Sequence, residues 1–336
     1  MSNADPVQWR GFTRRELLTL GVGAFVVGTM PLAARRREAL VRRTLPVMGT
    51  IAEFAVVHRE PRRAHAAIDA AMEALARVES LMTRFSETSE IGRANRFGVE
   101  RPVAVSRATA AVVGEAIGWA EATDGAFDPA IGRAIRLWDV THRRVPPPPA
   151  EVRPLAGRSL YRAVDLGTRG GLPVLSFGNP DVELDLGGIA KGYGVDRAAE
   201  ALRRAGVRQA IVNVGGDLYA LGGGPDGEPW RIGIRSPDDP SRLAAEIDAR
   251  DAAVATSGDY LQYFSHNGRR YHHLLDPLTG APRLTPVHSV TIWADTCLTA
   301  DAAATAIYGM SPSRAAQVLH AHAPDARLVS VLGDRA

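Results

Sequence analysis

Residues 183–194 read ELDLGGIAKGYG, a short alternation of polar and apolar residues that runs through two glycines into a helical pattern. The alternation predicts a strand over residues 181–186, and the pattern after Gly188 predicts a helix. Glycines let a backbone approach a phosphate, a helix N-terminus supplies N–H donors, and Lys191 adds a full charge in the first turn. The segment matches neither the dinucleotide fingerprint nor the Walker A loop, so it indicates another phosphate-binding turn. An ordinary strand–helix turn with an exposed lysine is the alternative.

Lys191 is the only lysine among the 40 basic residues of this 336-residue chain. The formal net charge is +3, yet residues 1–43 carry eight arginines against three acidic residues. The remaining residues number 32 basic and 34 acidic, so the body of the protein is slightly acidic. Such a body lacks the broad basic surface of nucleic-acid-binding proteins, and 6% of aromatic residues is few for base stacking. We therefore expect no nucleic-acid partner.

The rest of the chain has the pattern of a nucleotide-binding α/β or α+β enzyme. Residues 45–57 predict an opening strand in which Gly49 allows a bulge, and residues 64–85 predict a long amphipathic helix. Ser106 is the predicted N-cap of a second helix. Further strands are predicted at 210–214, 230–234, 253–257, 271–275 and 287–293. Cys297 is the single cysteine, so no intramolecular disulfide forms.

Residues 298–307, LTADAAATAI, predict a helix with one polar pair on a surface of small residues. Asp301 and Thr305 are four residues apart and hence on one face. A carboxylate and a hydroxyl on one face suit a hard cation such as Mg²⁺, which takes oxygen ligands. The alternative is that Thr305 bonds to its own helix and that Asp301 simply lies in the first turn.

Residues 272–280, HHLLDPLTG, predict a strand end followed by a tight turn. A histidine at such a place can act as a base or bind a phosphate. Adjacent residues of a strand point to opposite faces, so at most one of His272 and His273 belongs to a given site.

Three more segments combine glycine with polar groups, at 127–132, 213–217 and 255–260. Together with the others they form an ordered set: MGT from Met48, FDPAIG, DLGGIAKGY, VNVGGD, TSGDY, HLLDPLTG and ADAAAT. The set resembles the ApbE family of FAD:protein FMN transferases, from about Met48 almost to the C-terminus. The resemblance implies an α+β fold of mixed β-sheets flanked by helices, with FAD bound in a cleft between two lobes. It also implies Mg²⁺-dependent transfer of FMN from FAD to a threonine or serine hydroxyl of a target flavoprotein, releasing AMP.

The same resemblance implies roles for particular residues. Asp301, Thr305 and the carbonyl of Gly188 are the implied metal ligands. His273, three residues before Asp276, is the candidate catalytic base, and Asp301 is the second candidate catalytic residue. The implied FAD contacts are Met48, Met82, Thr83, Asp128, Lys191, Ser257 and Val287.

The N-terminus has the pattern of an export signal. Residues 13–18, TRRELL, lead into an apolar, glycine-rich run over residues 17–30. We interpret residues 1–35 as a twin-arginine signal and residues 42–336 as the transferase domain, which predicts a periplasmic protein. An uncleaved signal anchoring the protein at the inner membrane is one alternative, and a buried helix with a chance arginine pair is another.

Two other functions remain open at this stage. Water in place of the acceptor hydroxyl would make the protein an FAD pyrophosphatase that yields FMN and AMP. A periplasmic carrier or assembly factor would bind FAD without turning it over. The partner expected for a transferase is a protein segment with an acceptor threonine, for which the family suggests subunits of ion-pumping or electron-transferring membrane complexes, or nitrous-oxide-reduction regulators.

Overall fold

The computed structural model of the protein describes residues 25–28, 39–239 and 241–333. The strands in these residues are β1 Phe25–Gly28, β2 Ala39–Val47, β3 Thr50–His58, β4 Val103–Ala104, β5 Val164–Arg169, β6 Leu172–Phe177, β7 Gln209–Val214, β8 Asp217–Leu221, β9 Trp230–Arg235, β10 Leu243–Ala249, β11 Ala252–Gly258, β12 Tyr263–His266, β13 Arg269–His272, β14 Leu275–Asp276, β15 Ala281–Pro282, β16 Val287–Ala294 and β17 Arg327–Gly333. The α-helices in these residues are α1 Pro61–Met82, α2 Glu90–Phe97, α3 Arg107–Ala122, α4 Gly132–Trp138, α5 Pro149–Val152, α6 Ala190–Arg204, α7 Cys297–Ile307 and α8 Pro312–His322.

A seven-stranded antiparallel sheet forms the centre, in the order β17-β16-β11-β8-β7-β3-β2. Its inner strands β3, β7, β8 and β11 are almost entirely buried, because both faces of the sheet are covered there. Phe54 and Val56 join the main core with α1, α6 and α7, whereas Ala55 and Val57 join a second core. Trp230 of β9 fills that second core on the opposite side of the sheet. The predicted α+β class is confirmed.

Two strand predictions need correction. Residues 45–57 were expected as one strand, but they form the β2–β3 hairpin, with Met48 at φ 52° and Gly49 at φ 68° in the turn. The pattern 271–275 was expected as one strand, but β13 ends at His272 and His273 lies outside it. His272 is buried and His273 half-buried, so the two histidines do face different surroundings.

Residues 181–186 are extended without being a ladder strand; their one bridge joins Glu183 to Ile131. The alternation still holds, because Val182, Leu184 and Leu186 are buried. The predicted helix after Gly188 is confirmed as α6. Ser106 caps α3 as expected, accepting a hydrogen bond from the N–H of Thr109 at 3.2 Å.

The predicted export signal falls largely outside the described residues. Its residues Phe25–Gly28 are described, and they pair antiparallel with β9 at the edge of a three-stranded sheet. Among the described residues, no helix has the length and apolar character needed to cross a membrane.

Candidate active site

The glycine turn before α6 is built by local hydrogen bonds. Asp185 Oδ1 accepts from the N–H of Gly187 at 2.7 Å, and Leu186 O accepts from the N–H of Ala190 at 2.8 Å. Gly187 is exposed and Gly188 half-exposed, so the turn is open to solvent. The turn therefore leads directly from an apolar extended segment into the first turn of α6, where Lys191 lies.

Lys191 lies between two buried carboxylates. Its Nζ makes a very short contact with Asp217 Oδ2 and lies 3.4 Å from both carboxylate oxygens of Asp301. Burial lowers the pKa of Lys191, but Asp217 and Asp301 outweigh it and hold the pKa above its ordinary value. Burial and the nearby Asp301 raise the pKa of Asp217 to about 7, against the influence of Lys191. The structure thus holds a cation between two acids at the start of α6.

Helices α6 and α7 approach each other closely at Gly192. Gly192 donates its N–H to Asp301 Oδ2 at 2.9 Å, and a Cβ placed on Gly192 would lie 2.2 Å from Cys297 O. Any side chain at position 192 would therefore push the two helices apart. This close approach brings Lys191 of α6 to Asp301 of α7.

The three implied metal ligands lie together. Asp301 and Thr305 share one face of α7, as predicted, and a Cβ placed on Gly188 would lie 3.0 Å from Thr305 Cγ2. Thr305 Oγ1 lies 3.0 Å from Ser257 Oγ at the end of β11. The Thr305 hydroxyl is therefore paired with a hydroxyl of strand β11, which argues against the alternative that it bonds to its own helix.

The chemistry of these donors fits a hard cation. They offer a carboxylate, hydroxyls and a backbone carbonyl, which are the oxygen ligands that Mg²⁺ takes together with water and phosphate. The site already holds one cation, the Lys191 ammonium, against Asp301. Within the described part of the chain there is no group of three or more histidine, cysteine or acidic residues that would hold a metal by itself. Water or substrate oxygens would complete the shell of a metal held by these three groups.

The segment at Phe127 forms the neighbouring wall. The Phe127 ring lies 3.1 Å from a Cβ placed on Gly188. Asp128 is buried, and its two oxygens accept from the N–H groups of Ala130 at 2.8 Å and Tyr161 at 3.2 Å. Burial raises the pKa of Asp128 to about 6 in spite of these bonds. The carboxylate shapes this wall, and its predicted contact with FAD stays a prediction.

Met48 and the end of α1 lie on the other side of α6. The sulfur of Met48 lies 3.2 Å from a Cβ placed on Gly194, so the β2–β3 turn packs against the first turns of α6. Met82 is buried in the main core, and Thr83 is the C-cap of α1. Arg84 Nε then forms an ion pair of 2.5 Å with Asp185, next to the glycine turn. These contacts connect the predicted FAD-contacting residues of α1 to the turn.

His273 follows β13 and is held by one carbonyl. Its backbone N–H and its ring Nδ1 lie 3.1 and 3.2 Å from Gln262 O. A carbonyl only accepts, so the neutral ring in this contact carries its proton on Nδ1 and leaves Nε2 as the proton acceptor. Burial lowers the pKa of His273 to about 4, and the charge of Lys191 contributes to the lowering. His273 is therefore neutral at pH 7, and the positive charge of Lys191 is one of the influences on its pKa.

The remaining predicted residue, Val287, lies at the start of β16. Its carbonyl accepts from the Tyr308 hydroxyl at 2.7 Å, just after α7 ends. Val287 thus connects β16 to the C-terminal end of the helix that carries Thr305, whereas Asp301 lies nearer the other end.

Two residues of this site were not predicted from the sequence. Asp217 ends the quoted VNVGGD segment, so the motif contained it without marking it as the partner of Lys191. Asp196 lies on α6, and its two carboxylate oxygens accept from the N–H groups of Cys297 and Leu298. Burial raises the pKa of Asp196 to about 6, opposed by these two bonds. No local pattern marks Asp196, because its partners lie about a hundred residues further along the chain.

The site can be compared with known proteins. The model of the ApbE family matches residues 48–329. A curated FAD:protein FMN transferase of Vibrio cholerae is 35% identical over 283 residues, covering 82% of this chain and 83% of that protein. One of Treponema pallidum is 32% identical over 307 residues, covering 87% and 84%. The crystal structure of the ApbE protein from Thermotoga maritima superposes with a TM-score of 0.76 at 31% identity, covering 88% of this chain and 97% of that one.

Proposed function

The chain belongs to the ApbE family, and from that premise we propose that it transfers FMN from FAD to a threonine or serine hydroxyl of a target flavoprotein and releases AMP. One observation carries the proposal: the α6–α7 junction brings Lys191, Asp301, Thr305 and Gly188 to one partly open place. The ApbE family model spans residues 48–329 and therefore includes the segment that builds the junction.

The proposed reaction exchanges one phosphorus–oxygen bond for another. The acceptor hydroxyl oxygen bonds to the FMN-side phosphorus of FAD, the bond from that phosphorus to the AMP-side oxygen breaks, and AMP leaves with the electron pair. Phosphoryl-type transfer gains most of its rate from positioning and from stabilising charge on the phosphate oxygens. Lys191 supplies a fixed positive charge for this purpose. Its two acidic partners hold its pKa above the ordinary value, so it is protonated at pH 7.

Magnesium fits the same place. Asp301, Thr305 and the Gly188 carbonyl would hold the ion, which when bound neutralises charge on a pyrophosphate. Asp301 is itself fixed by the N–H of Gly192, and Thr305 by Ser257. The two side-chain ligands are thus oriented by neighbouring groups of the chain.

The hydroxyl must also lose its proton, and His273 is the proposed acceptor through Nε2. Near neutral pH the ring is neutral, as a base must be. A bound pyrophosphate brings negative charge towards the ring, and nearby negative charge raises a histidine pKa. Binding of FAD would therefore increase the proton affinity of His273 when proton transfer is needed.

The test is a transfer assay with the purified protein, FAD, Mg²⁺ and a candidate target that carries the acceptor hydroxyl. We expect flavin fluorescence that stays with the target in a denaturing gel, together with one AMP for each flavin attached. FMN and AMP formed equally with and without the target would indicate a pyrophosphatase instead. Bound but unconverted FAD would indicate a carrier.

We further propose that the protein acts in the periplasm after export by the twin-arginine route. Residues 13–18 and the apolar run after them support this proposal. A fusion of residues 1–38 to a reporter that is active only after folded export tests it, with Arg14→Lys and Arg15→Lys together as the control. Export of the control fusion at an undiminished level would contradict the twin-arginine route.

A further inference from the structure

Asp196 joins the two helices of the site. It lies on α6, five residues after Lys191, and its carboxylate crosses to α7. Oδ1 accepts from the N–H of Cys297 at 2.8 Å, and Oδ2 accepts from the N–H of Leu298 at 2.9 Å. Both oxygens are therefore used, and both are used on the helix that carries Asp301 and Thr305.

The N-terminus of α7 has a second cap within its own segment. The first N–H groups of a helix have no partner inside it and are satisfied by capping groups. The Thr296 side chain, at the N-cap of α7, accepts from the N–H of Thr299 at 3.2 Å. Thr296 stabilises the helix locally, whereas Asp196 ties the helix to α6. Both side chains accept hydrogen bonds from N–H groups at the start of α7, but Thr296 is adjacent in sequence and Asp196 belongs to another helix.

The hydrogen bonds of Asp196 help to fix the position of α7 relative to α6. Asp196 holds the first residues of α7, and Gly192, one turn earlier on α6, donates to Asp301 one turn further along α7. Two points of attachment, one turn apart on each helix, oppose both sliding and rotation of α7. Asp301 and Thr305 move with α7, and Gly188 and Lys191 move with the start of α6. The spacing between the two sets therefore depends on this pair of attachments.

We propose that Asp196 is a positioning residue for the metal and phosphate site. It sets Asp301 and Thr305 relative to Gly188 and Lys191 without contacting substrate itself. The proposal rests on the proposed function in so far as the site takes a divalent cation. Removing groups that orient metal ligands typically weakens metal affinity about 10–100-fold.

The test compares Asp196→Asn with Thr296→Ala. Asparagine keeps the volume of Asp196 but accepts with one oxygen only and presents an NH₂ group to the other N–H. Thr296→Ala removes the local cap of the same helix. Two measurements are made on each: binding of Mn²⁺ alone, followed by the loss of its free electron paramagnetic resonance signal, and the ¹³C resonance of dimethylated Lys191. As the chain has a single lysine, that resonance needs no assignment beyond separating it from the terminal amine.

We expect Asp196→Asn to weaken Mn²⁺ binding about tenfold and to shift the Lys191 resonance, while Thr296→Ala changes neither. An unmoved resonance in Asp196→Asn, or an equal shift in Thr296→Ala, would overturn the positioning role. Should the native protein bind no Mn²⁺ while the resonance follows the expectation, the metal in the proposed function fails and the helix-positioning role of Asp196 stands. Thermal unfolding of each variant confirms that the comparison is made on folded protein.

Discussion

The two halves of the site are built differently. The helix junction, residues 187–196 with 297–305, is joined by backbone contacts that leave no room for a side chain at Gly192. The histidine loop, residues 273–286, contains only the two-residue strands β14 and β15. Trp138 and Phe264 stack on Tyr271, and Leu275 and Ala281 of the loop pack against this aromatic cluster. The half proposed to bind the phosphates and the metal is joined by close backbone contacts, whereas the half proposed to accept the proton depends on side-chain packing.

This difference predicts which step each change affects. A change in the helix junction displaces the charged groups, so it should alter binding of FAD and metal as well as transfer. A change in the histidine loop leaves the charges in place, so it should alter transfer alone. The following four changes test this division.

Asp301→Ala should have the largest effect. It removes the only carboxylate among the implied metal ligands and one of the two acidic partners of Lys191. We expect metal-dependent transfer to fall by about 10³-fold or more, in single-turnover measurements. Gly114→Ala is a suitable control, because a Cβ there meets only Leu166 Cδ2 at an ordinary 3.5 Å. Unchanged activity of Asp301→Ala at limiting Mg²⁺ would remove Asp301 from the metal site.

His273→Gln should come next, with transfer slowed about 10²-fold and FAD affinity unchanged. The pH profile provides a second test. A base works in its neutral form, and the pKa of His273 in the free protein is lowered to about 4. The native kcat/KM reports the free enzyme and also contains the titration of buried acids such as Asp217, whose pKa is raised to about 7. The ratio of native to His273→Gln kcat/KM removes that shared contribution, so it should stay level as the pH falls from 7 to about 5 and decline only near 4. With FAD bound, kcat should begin to fall at a higher pH. If His273→Gln kept the native single-turnover rate, another group would be the base.

Lys191→Arg should have a smaller effect, on binding. The guanidinium is larger than the ammonium and planar, so it cannot take the same position between Asp217 and Asp301. We expect FAD to bind about tenfold more weakly, as measured by titrating the protein without metal. Arg203→Lys, at the C-terminal end of α6, is the control, because it exchanges the same two residue types away from the site and should leave FAD affinity unchanged. Equal FAD affinity of Lys191→Arg and the native protein would argue against contact between Lys191 and FAD.

Sequence patterns predicted the helix junction better than the loop. The turn at Gly188 and helix α6 follow from local alternation, and the shared face of Asp301 and Thr305 follows from helical periodicity. These signals lie within a few residues of one another, so a single sequence contains them. Asp217 and Asp196 escaped notice because their partners are distant in sequence. The chain contains many aspartates, and its sequence does not show which of them the fold buries beside a lysine or a helix N-terminus.

The errors in the prediction have a similar origin. Met48 adopts φ 52°, a conformation uncommon for residues with a side chain, so a hairpin turn was not expected there. The strand expected at 271–275 ends early because its partner β12 begins at Tyr263, opposite His272. His273 has no pairing partner on β12 and therefore lies outside the strand. A strand's own sequence does not contain that information.

Trp138→Phe should have the smallest effect and separates the two halves most directly. Trp138 Nε1 donates to Gly280 O at 2.7 Å and stacks on Tyr271, so it ties the loop to α4. Phenylalanine keeps an aromatic ring for stacking but loses that hydrogen bond, which contributes about 1 kcal/mol. We expect transfer to slow about threefold, since a more mobile loop holds His273 in place for less of the time. Affinity for FAD and for Mg²⁺ should not change, because Lys191 and Asp301 are untouched. Weaker FAD or metal binding in Trp138→Phe would show that the loop and the helix junction act as one unit.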